Sequence, residues 1–295
     1  MKKLLAKYRN GNYDVYLYDD GTKIRKNDLD ELIPEFPESF DLKITNYCEM
    51  NCPMCHEMSN TLGKHSDVLN EKFIETMHPG TEVAIGGGMV TSYPDLEQFL
   101  IKLKKLKVFP SITVHQEEYK RNKEFIKSLI DRKLIWGLGV SIKTLDTDLI
   151  DEIIKYDNSV IHTIAGYTSL GIFQYLRDVN AKILVLGFKN WGRGEIYLEE
   201  HPEIKQSNKR LEDELFNSDK QFKVLSFDNL ALAQLNVKDH IPEEVWNMFY
   251  QGNDGYATMY IDAVERSYGL NSTSPNRYAI GDLTIDEMFN NIKLK

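Results

Sequence analysis

Cysteine is almost missing from this chain. Three of its 295 residues are cysteine, all of them lie between Cys48 and Cys55, and none occurs elsewhere. Three thiols cannot pair off, so a disulfide framework is excluded. Long apolar runs are missing as well. Nowhere do about 18 apolar residues follow one another, which excludes a membrane-spanning helix. Behind the basic Met1-Lys2-Lys3 stands only Leu4-Leu5-Ala6, too short for the core of a signal peptide, so a cytoplasmic protein is expected. Basic charge is in deficit: 36 Lys and Arg face 45 Asp and Glu, a net −9. A net acid is a poor partner for phosphate backbones, and the run Lys102, Lys104, Lys105, Lys107 reads as a solvated helix face, so nucleic acid is not expected as a partner.

What is there is ordinary globular material. Hydrophobic residues make up 42% and charged ones 27%, enough apolar surface to build a core in a chain of this length. Residues 12–26 alternate around Asp20-Gly21, a hairpin signal. From residue 39 short β-rich runs recur, beginning near residues 40, 81, 111, 135, 160 and 182. Helical patterns separate them at Asn70–Met77, Pro94–Leu106, Glu124–Arg132, Thr147–Lys155 and Ser169–Asp178. Strands alternating with helices predict a parallel sheet with ligands at the C-terminal strand ends. Six such units are too few for a closed eight-unit barrel. The expected fold is therefore α/β, a partial (β/α)6 TIM-like barrel at 39–195, preceded by a small hairpin segment at 1–38. An α+β extension follows at 196–295, with a possible seventh strand at Phe222–Phe227, a helix at Pro242–Tyr250, a hairpin at Ala257–Leu270 and a closing helix at Ile285–Ile292.

The cysteines are spaced C-x3-C-x2-C: Cys48-Glu49-Met50-Asn51-Cys52-Pro53-Met54-Cys55. They follow the first strand of the series, on a loop at the face where ligands are expected. The spacing lets three thiolates converge on one inorganic group. A [4Fe–4S] cluster normally takes four cysteines, and with only three in the chain one iron is left open. The alternative is a zinc site with His56 as fourth ligand. Zinc sites usually show two separated ligand pairs, and His56 is adjacent to Cys55, so joint tetrahedral coordination is awkward.

By this motif in this place, the chain resembles the radical S-adenosylmethionine (radical SAM) superfamily, with the architectural likeness extending over residues 39 to about 195. The resemblance implies one [4Fe–4S] cluster held by Cys48, Cys52 and Cys55, with S-adenosylmethionine (SAM) on the open iron. One electron then cleaves SAM to a 5′-deoxyadenosyl radical, which abstracts hydrogen from a substrate. It implies a small electron donor, flavodoxin or ferredoxin, and oxygen sensitivity.

It also marks further positions. Gly86, Gly87 and Gly88 stand where the family carries Gly-Gly-Glu-Pro, which receives the SAM ammonium; here Met89 replaces the Glu and Val90 the Pro. Glycine carbonyls or the Thr91 and Ser92 hydroxyls are possible substitutes, and a plain turn is the bland reading. Met54 falls where an aromatic residue often lies near adenine, or is a packing methionine. Ser141 and Lys143 end the fourth strand, where the family binds ribose and carboxylate; a solvated lysine is the alternative. Ile164 and Gly166 match half of a weak Gly-x-Ile-x-Gly-x-x-Glu pattern near the adenine, or are core and turn. In the loop Phe188–Gly194, Lys189 and Arg193 are candidates for an anion- and base-binding loop. His115 and Glu117, at the end of the third strand, are candidates for the substrate pocket. His56, Glu57, Lys64 and His65 flank the cysteine motif, with a structural role as the alternative.

The tail at 258–289 faintly resembles the extension of peptide- and protein-modifying members. It has no cysteine, with Asn271, Ser272, Thr273 and Ser274 in the hairpin region, so an auxiliary cluster is excluded. The substrate, whether peptide, protein or small molecule, is left open. A competing reading takes Met89 as a sign of lost SAM capture, leaving a cluster-binding relative that acts as a sensor. A zinc-stapled interaction module is a third.

Overall fold

A computed structural model of the chain describes residues 2–29 and 31–293. Met1 of the basic N-terminal triplet, Asp30 and the last two residues lie outside the described residues.

Strands β1 (Leu4–Asn10), β2 (Tyr13–Tyr18) and β3 (Lys23–Lys26) form an antiparallel three-stranded sheet. The expected hairpin at Asp20-Gly21 is its second half. An earlier turn at Gly11, with φ 56°, adds a strand not expected from the sequence. The sheet is fastened by buried Glu38. Its carboxylate accepts from Tyr13 at 2.6 Å and from Arg25 at 2.7 Å through both Nε and Nη2.

The large sheet begins with β4 (Ser39–Thr45), β5 (Glu82–Gly87), β6 (Phe109–His115), β7 (Gly137–Ser141), β8 (Ser159–Ile164) and β9 (Lys182–Leu186). The helices between them are α1 (Leu96–Lys105), α2 (Gln116–Asp131), α3 (Thr147–Ile153) and α4 (Leu170–Asp178). The helix expected at Asn70–Met77 is instead two 3-10 turns, Val68–Asn70 and Lys72–Thr76. Its helical spacing of Phe73, Ile74 and Met77 buries those side chains, but Glu71 and Met77 are extended and stop an α-helix from propagating.

After β9 come α5 (Arg193–Glu200), which crosses the expected boundary at 195, α6 (Ile204–Phe216), β10 (Val224–Phe227), α7 (Asn229–Gln234), α8 (Glu243–Phe249), β11 (Thr258–Asp262), β12 (Ser267–Gly269), β13 (Tyr278–Ala279) and α9 (Ile285–Lys293). The sheet order is β10-β9-β8-β7-β6-β5-β4-β11-β12-β13. The C-terminal segment thus adds to both edges: β10 pairs parallel with β9, and β11 parallel with β4. Eight neighbouring strands run parallel; β12 then reverses, and β13, antiparallel to β12, runs with the eight again. No ladder among the described residues joins the two ends of the sheet.

Alternation along each strand sorts the two faces. Phe40, Leu42, Ile44, Val83, Ile85, Ile112, Val114, Leu138, Val140, Ile161, Ile183 and Val185 are buried among the buried faces of the helices, such as Leu96, Phe99, Leu100 and Leu103 of α1. Each such side chain contributes about 1.5–3 kcal/mol by leaving water. The opposite face carries unusually small residues on the central strands: Ala84, Gly86, Ser111, Thr113, Gly137, Gly139 and Ser141. A packed barrel fills this space with branched side chains. Here the small ones leave a hollow.

Candidate functional site

The hollow is a cavity of about 420 Å³. Inward residues of β4, β5, β6, β7, β8, β9 and β11 line it, together with the cysteine loop and Ser272. Its size suits a small-molecule or cofactor site.

The cysteine loop leaves the C-terminal end of β4 and closes over the cavity mouth. Cys48, Cys52 and Cys55 are free thiols, all partly buried and all on the cavity lining. The loop is tied down by backbone hydrogen bonds: Cys48 N donates to Asn60 O at 2.9 Å and Cys55 N to Cys52 O at 3.2 Å. Asn51, between the first two cysteines, takes a left-handed turn at φ 45°, which asparagine tolerates. Burial pushes the Cys48 and Cys52 thiols up.

The Gly86–Gly88 strand end forms a shelf beside this loop. Gly88 N donates to Thr45 O at 2.8 Å and Met89 N to Tyr47 O at 2.7 Å. A Cβ on Gly88 would lie 2.1 Å from the Tyr47 carbonyl oxygen, so the close approach requires glycine. A Cβ on Gly86 would meet nothing within 4 Å, since that position opens on the cavity. The shelf is a cradle that side chains would fill.

Among the described residues, no three or more His, Cys, Asp or Glu side chains converge as ligands of one ion. A single zinc needs its thiolates about 2.3 Å from one point. His56, the fourth ligand considered for zinc, has its Nε2 taken up by Ser272 at 3.2 Å and Lys189 at 3.3 Å. Three thiols facing a common space beside a glycine cradle suit a multi-iron cluster and a ligand on its open corner, each cysteine meeting a different iron.

Beside the shelf, on the neighbouring strand β4, Lys43 opens an ionic network in the cavity wall. Lys43 Nζ lies 2.7 Å from Glu57 Oε2 and 3.0 Å from Asp262 Oδ2. Tyr260 donates to Glu57 Oε1 at 2.9 Å, and Lys189 to Ser272 at 2.8 Å. Burial and the nearby Lys189 ammonium push His56 down. Burial opposes ionisation of Glu57, but its contact with His56, and then the Lys43 ammonium, outweigh it and keep the carboxyl below its ordinary range.

Two titratable groups open into the hollow itself. Asp41 has no hydrogen bond or ion pair among the described residues; its side chain faces the cavity, and the protein around it pushes its carboxyl up. His162 is held down to about 4 by burial, and its Nδ1 has no partner. Its ring packs where a Cβ on Gly139 would sit.

The cavity brings together the cysteines, Met54, Gly86, Gly87, Gly88, Ser141, Ile164, His115 and Lys189. Other candidates lie off its lining, Lys64 and His65 among them. Lys143 is exposed at the strand end. Glu117 pairs with Lys120 at 3.0 Å on α2. Gly166, at φ 71°, lets the chain pass against Ile204 and Asn208 of α6. Arg193 grips carbonyls of the cysteine loop rather than facing a ligand. Sequence reasoning missed Glu118, Asp41, Lys43 and Tyr260. The charged alternation Asp41-Leu42-Lys43 within a buried strand was the available signal for two of them.

No family model matches the chain, and no curated protein does. Solved structures do. A crystal structure of Streptococcus suis SuiB bound to S-adenosylmethionine matches with a TM-score of 0.59 and 15% identity, over 88% of this chain and 68% of that one. The likeness is one of fold. A further crystal structure of Streptococcus suis SuiB matches at a TM-score of 0.60 and 12% identity, over 96% and 86% of the two chains. SuiB bound to precursor peptide SuiA matches at 0.56 and 17%, over 87% of this chain. This chain spans 65% of the length of that SuiB chain. No described helix is long and apolar enough to cross a membrane.

Proposed function

We propose that this chain is a radical SAM enzyme built on a partial (β/α)6 barrel. The observation that carries the reading is the C-x3-C-x2-C loop, which sets all three thiols of the chain on a cavity beside a glycine cradle. The likeness in fold to SuiB, one structure of which holds SAM, supports it.

Cys48, Cys52 and Cys55 would hold a [4Fe–4S] cluster, and the Gly86–Gly88 shelf, Ser141, Ile164 and Met54 would receive SAM. Bound together, these groups supply a 5′-deoxyadenosyl radical that takes a hydrogen atom from the substrate, given one electron from a flavodoxin or ferredoxin. The protein's own work is positional. Arg193 and the backbone of 45–60 fix the loop that carries the thiols. Gly86 leaves room at the shelf. Ile164, Leu184 and Leu186 give the chamber an apolar wall, which would shed water once the ligands fill it. Asp41, His162 and Lys189 supply polar contacts for whatever is presented to the radical. The peptide-bound SuiB structure favours a peptide as the substrate class.

The test is anaerobic incubation of the cluster-loaded protein with dithionite and SAM. Release of 5′-deoxyadenosine is expected. Its sustained absence with an intact cluster would favour the cluster-binding relative instead.

A further inference from the structure

Glu118 is a buried acid without a counter-charge. Only 1% of its surface is exposed, yet it reaches the lining of the cavity. No Lys, Arg or His among the described residues pairs with it. Its partners are all neutral donors: Thr91 N at 2.8 Å and Thr91 Oγ1 at 2.9 Å to Oε1, and His115 N at 3.3 Å to Oε2. Burial pushes its carboxyl up to about 7.

Part of this is helix capping, since His115 and Glu118 form a capping box at the start of α2. Capping uses Oε2 alone. The contacts to Oε1 come from another connection, the turn that follows the glycine shelf, where Thr91 stands two residues beyond Met89. A carboxylate offers about four lone-pair sites, and three are used. The carboxylate is thus pinned, from the turn after β5 and from the end of β6, at the place where the shelf meets the cavity. A buried carboxylate in that position is completed by a cation.

We propose that Glu118 accepts the ammonium of the ligand seated on the Gly86–Gly88 shelf, replacing across the sheet the acid that Met89 does not provide. The inference rests on the reading of the site as a SAM site, and it makes Thr91 a positioning residue that aims the carboxylate. It also removes the reason for treating Met89 as a sign of lost SAM capture.

The test is binding, not turnover. Equilibrium dialysis of the anaerobically cluster-loaded protein measures SAM and 5′-methylthioadenosine, which keeps the nucleoside but lacks the amino acid. The expected result for E118Q is a loss of SAM affinity of about thirty-fold or more, the usual cost of removing one partner of a buried charge pair, with methylthioadenosine unchanged. Equal loss of both ligands, or loss of neither, would overturn the inference. Should E118Q fail to fold, T91V is measured in its place: selective weakening of SAM supports the assignment, and equal behaviour of the two ligands refutes it. A wild-type protein that binds no SAM would sink the proposed function itself, an outcome distinct from a wild type that binds SAM and a variant that binds it equally well.

Discussion

Arg193 holds the backbone of Cys52. Its Nε donates to the Cys52 carbonyl at 3.1 Å, its Nη2 donates to the Ser59 carbonyl at 3.0 Å, and its own amide donates to Cys55 O at 3.2 Å. One side chain from α5 therefore spans the loop that carries two of the three thiols.

Replacing it should loosen the loop without unfolding the protein. R193A is expected to retain at most half the iron of the wild type after reconstitution, with a melting temperature within about 4 °C, the cost of roughly one or two hydrogen bonds. R193K should behave alike, because an ammonium cannot reproduce the two-pronged geometry. Iron analysis beside thermal melts checks this; normal iron content in both variants would speak against it.

The Lys43–Glu57 pair joins β4 to the cysteine loop at 2.7 Å with little exposure on either side. Removing one partner strands the other. E57Q should destabilise the protein by about 3 kcal/mol. The Glu57 carboxyl is held below its ordinary value, so its contribution is complete above the unfolded pKa of about 4.3 and is lost as pH falls further. Denaturant melts across pH should show a steeper acid loss in the wild type than in E57Q.

His162 should impose a different pH dependence. The unfolded histidine titrates near 6.5, while burial holds the folded one down to about 4. Above 6.5 neither state binds the proton. Below it the unfolded chain binds first, so stability falls toward pH 4 by up to about 1.4 kcal/mol per pH unit. Glu118, pushed up to about 7, acts in the opposite sense, so the informative quantity is the difference between the wild type and H162Q. The gap in stability should move in favour of H162Q as pH falls from 6.5 to 4; a constant gap would contradict the buried neutral imidazole.

Two glycines of the shelf should separate fold from binding. G88A drives a Cβ toward the Tyr47 carbonyl and should lower the melting temperature and the iron content together. G86A meets no atom within 4 Å and should melt like the wild type, while binding SAM several-fold more weakly because its methyl enters the cradle. Melts and equilibrium dialysis on the same samples decide between these outcomes.

The six central strands were legible because each is a short apolar run bounded by turn residues, and β4 to β9 all fall where those runs lie. The turns at 68–76 were not, because Phe73, Ile74 and Met77 bury themselves with a helix-like spacing but without a helix. Sequence order also hid β11 beside β4, a pairing between residues more than two hundred positions apart. At the site, the cysteine motif and the glycines could be read directly, since their chemistry is local. Glu118 could not: His115 and Glu118 spell a helix cap, and only folding brings that cap to Thr91 and the shelf. Lys189 was visible as a cation after β9, but its partners His56 and Ser272 come from distant segments.

The most direct measurement is the iron and acid-labile sulfide content of the anaerobically reconstituted chain, with its electron paramagnetic resonance spectrum after reduction, before and after adding SAM. About four irons and four sulfides per chain are expected, with a reduced-cluster signal that changes when SAM binds. Zinc without acid-labile sulfide, or a four-iron signal indifferent to SAM, would contradict a cluster held by three cysteines with one iron left for the ligand.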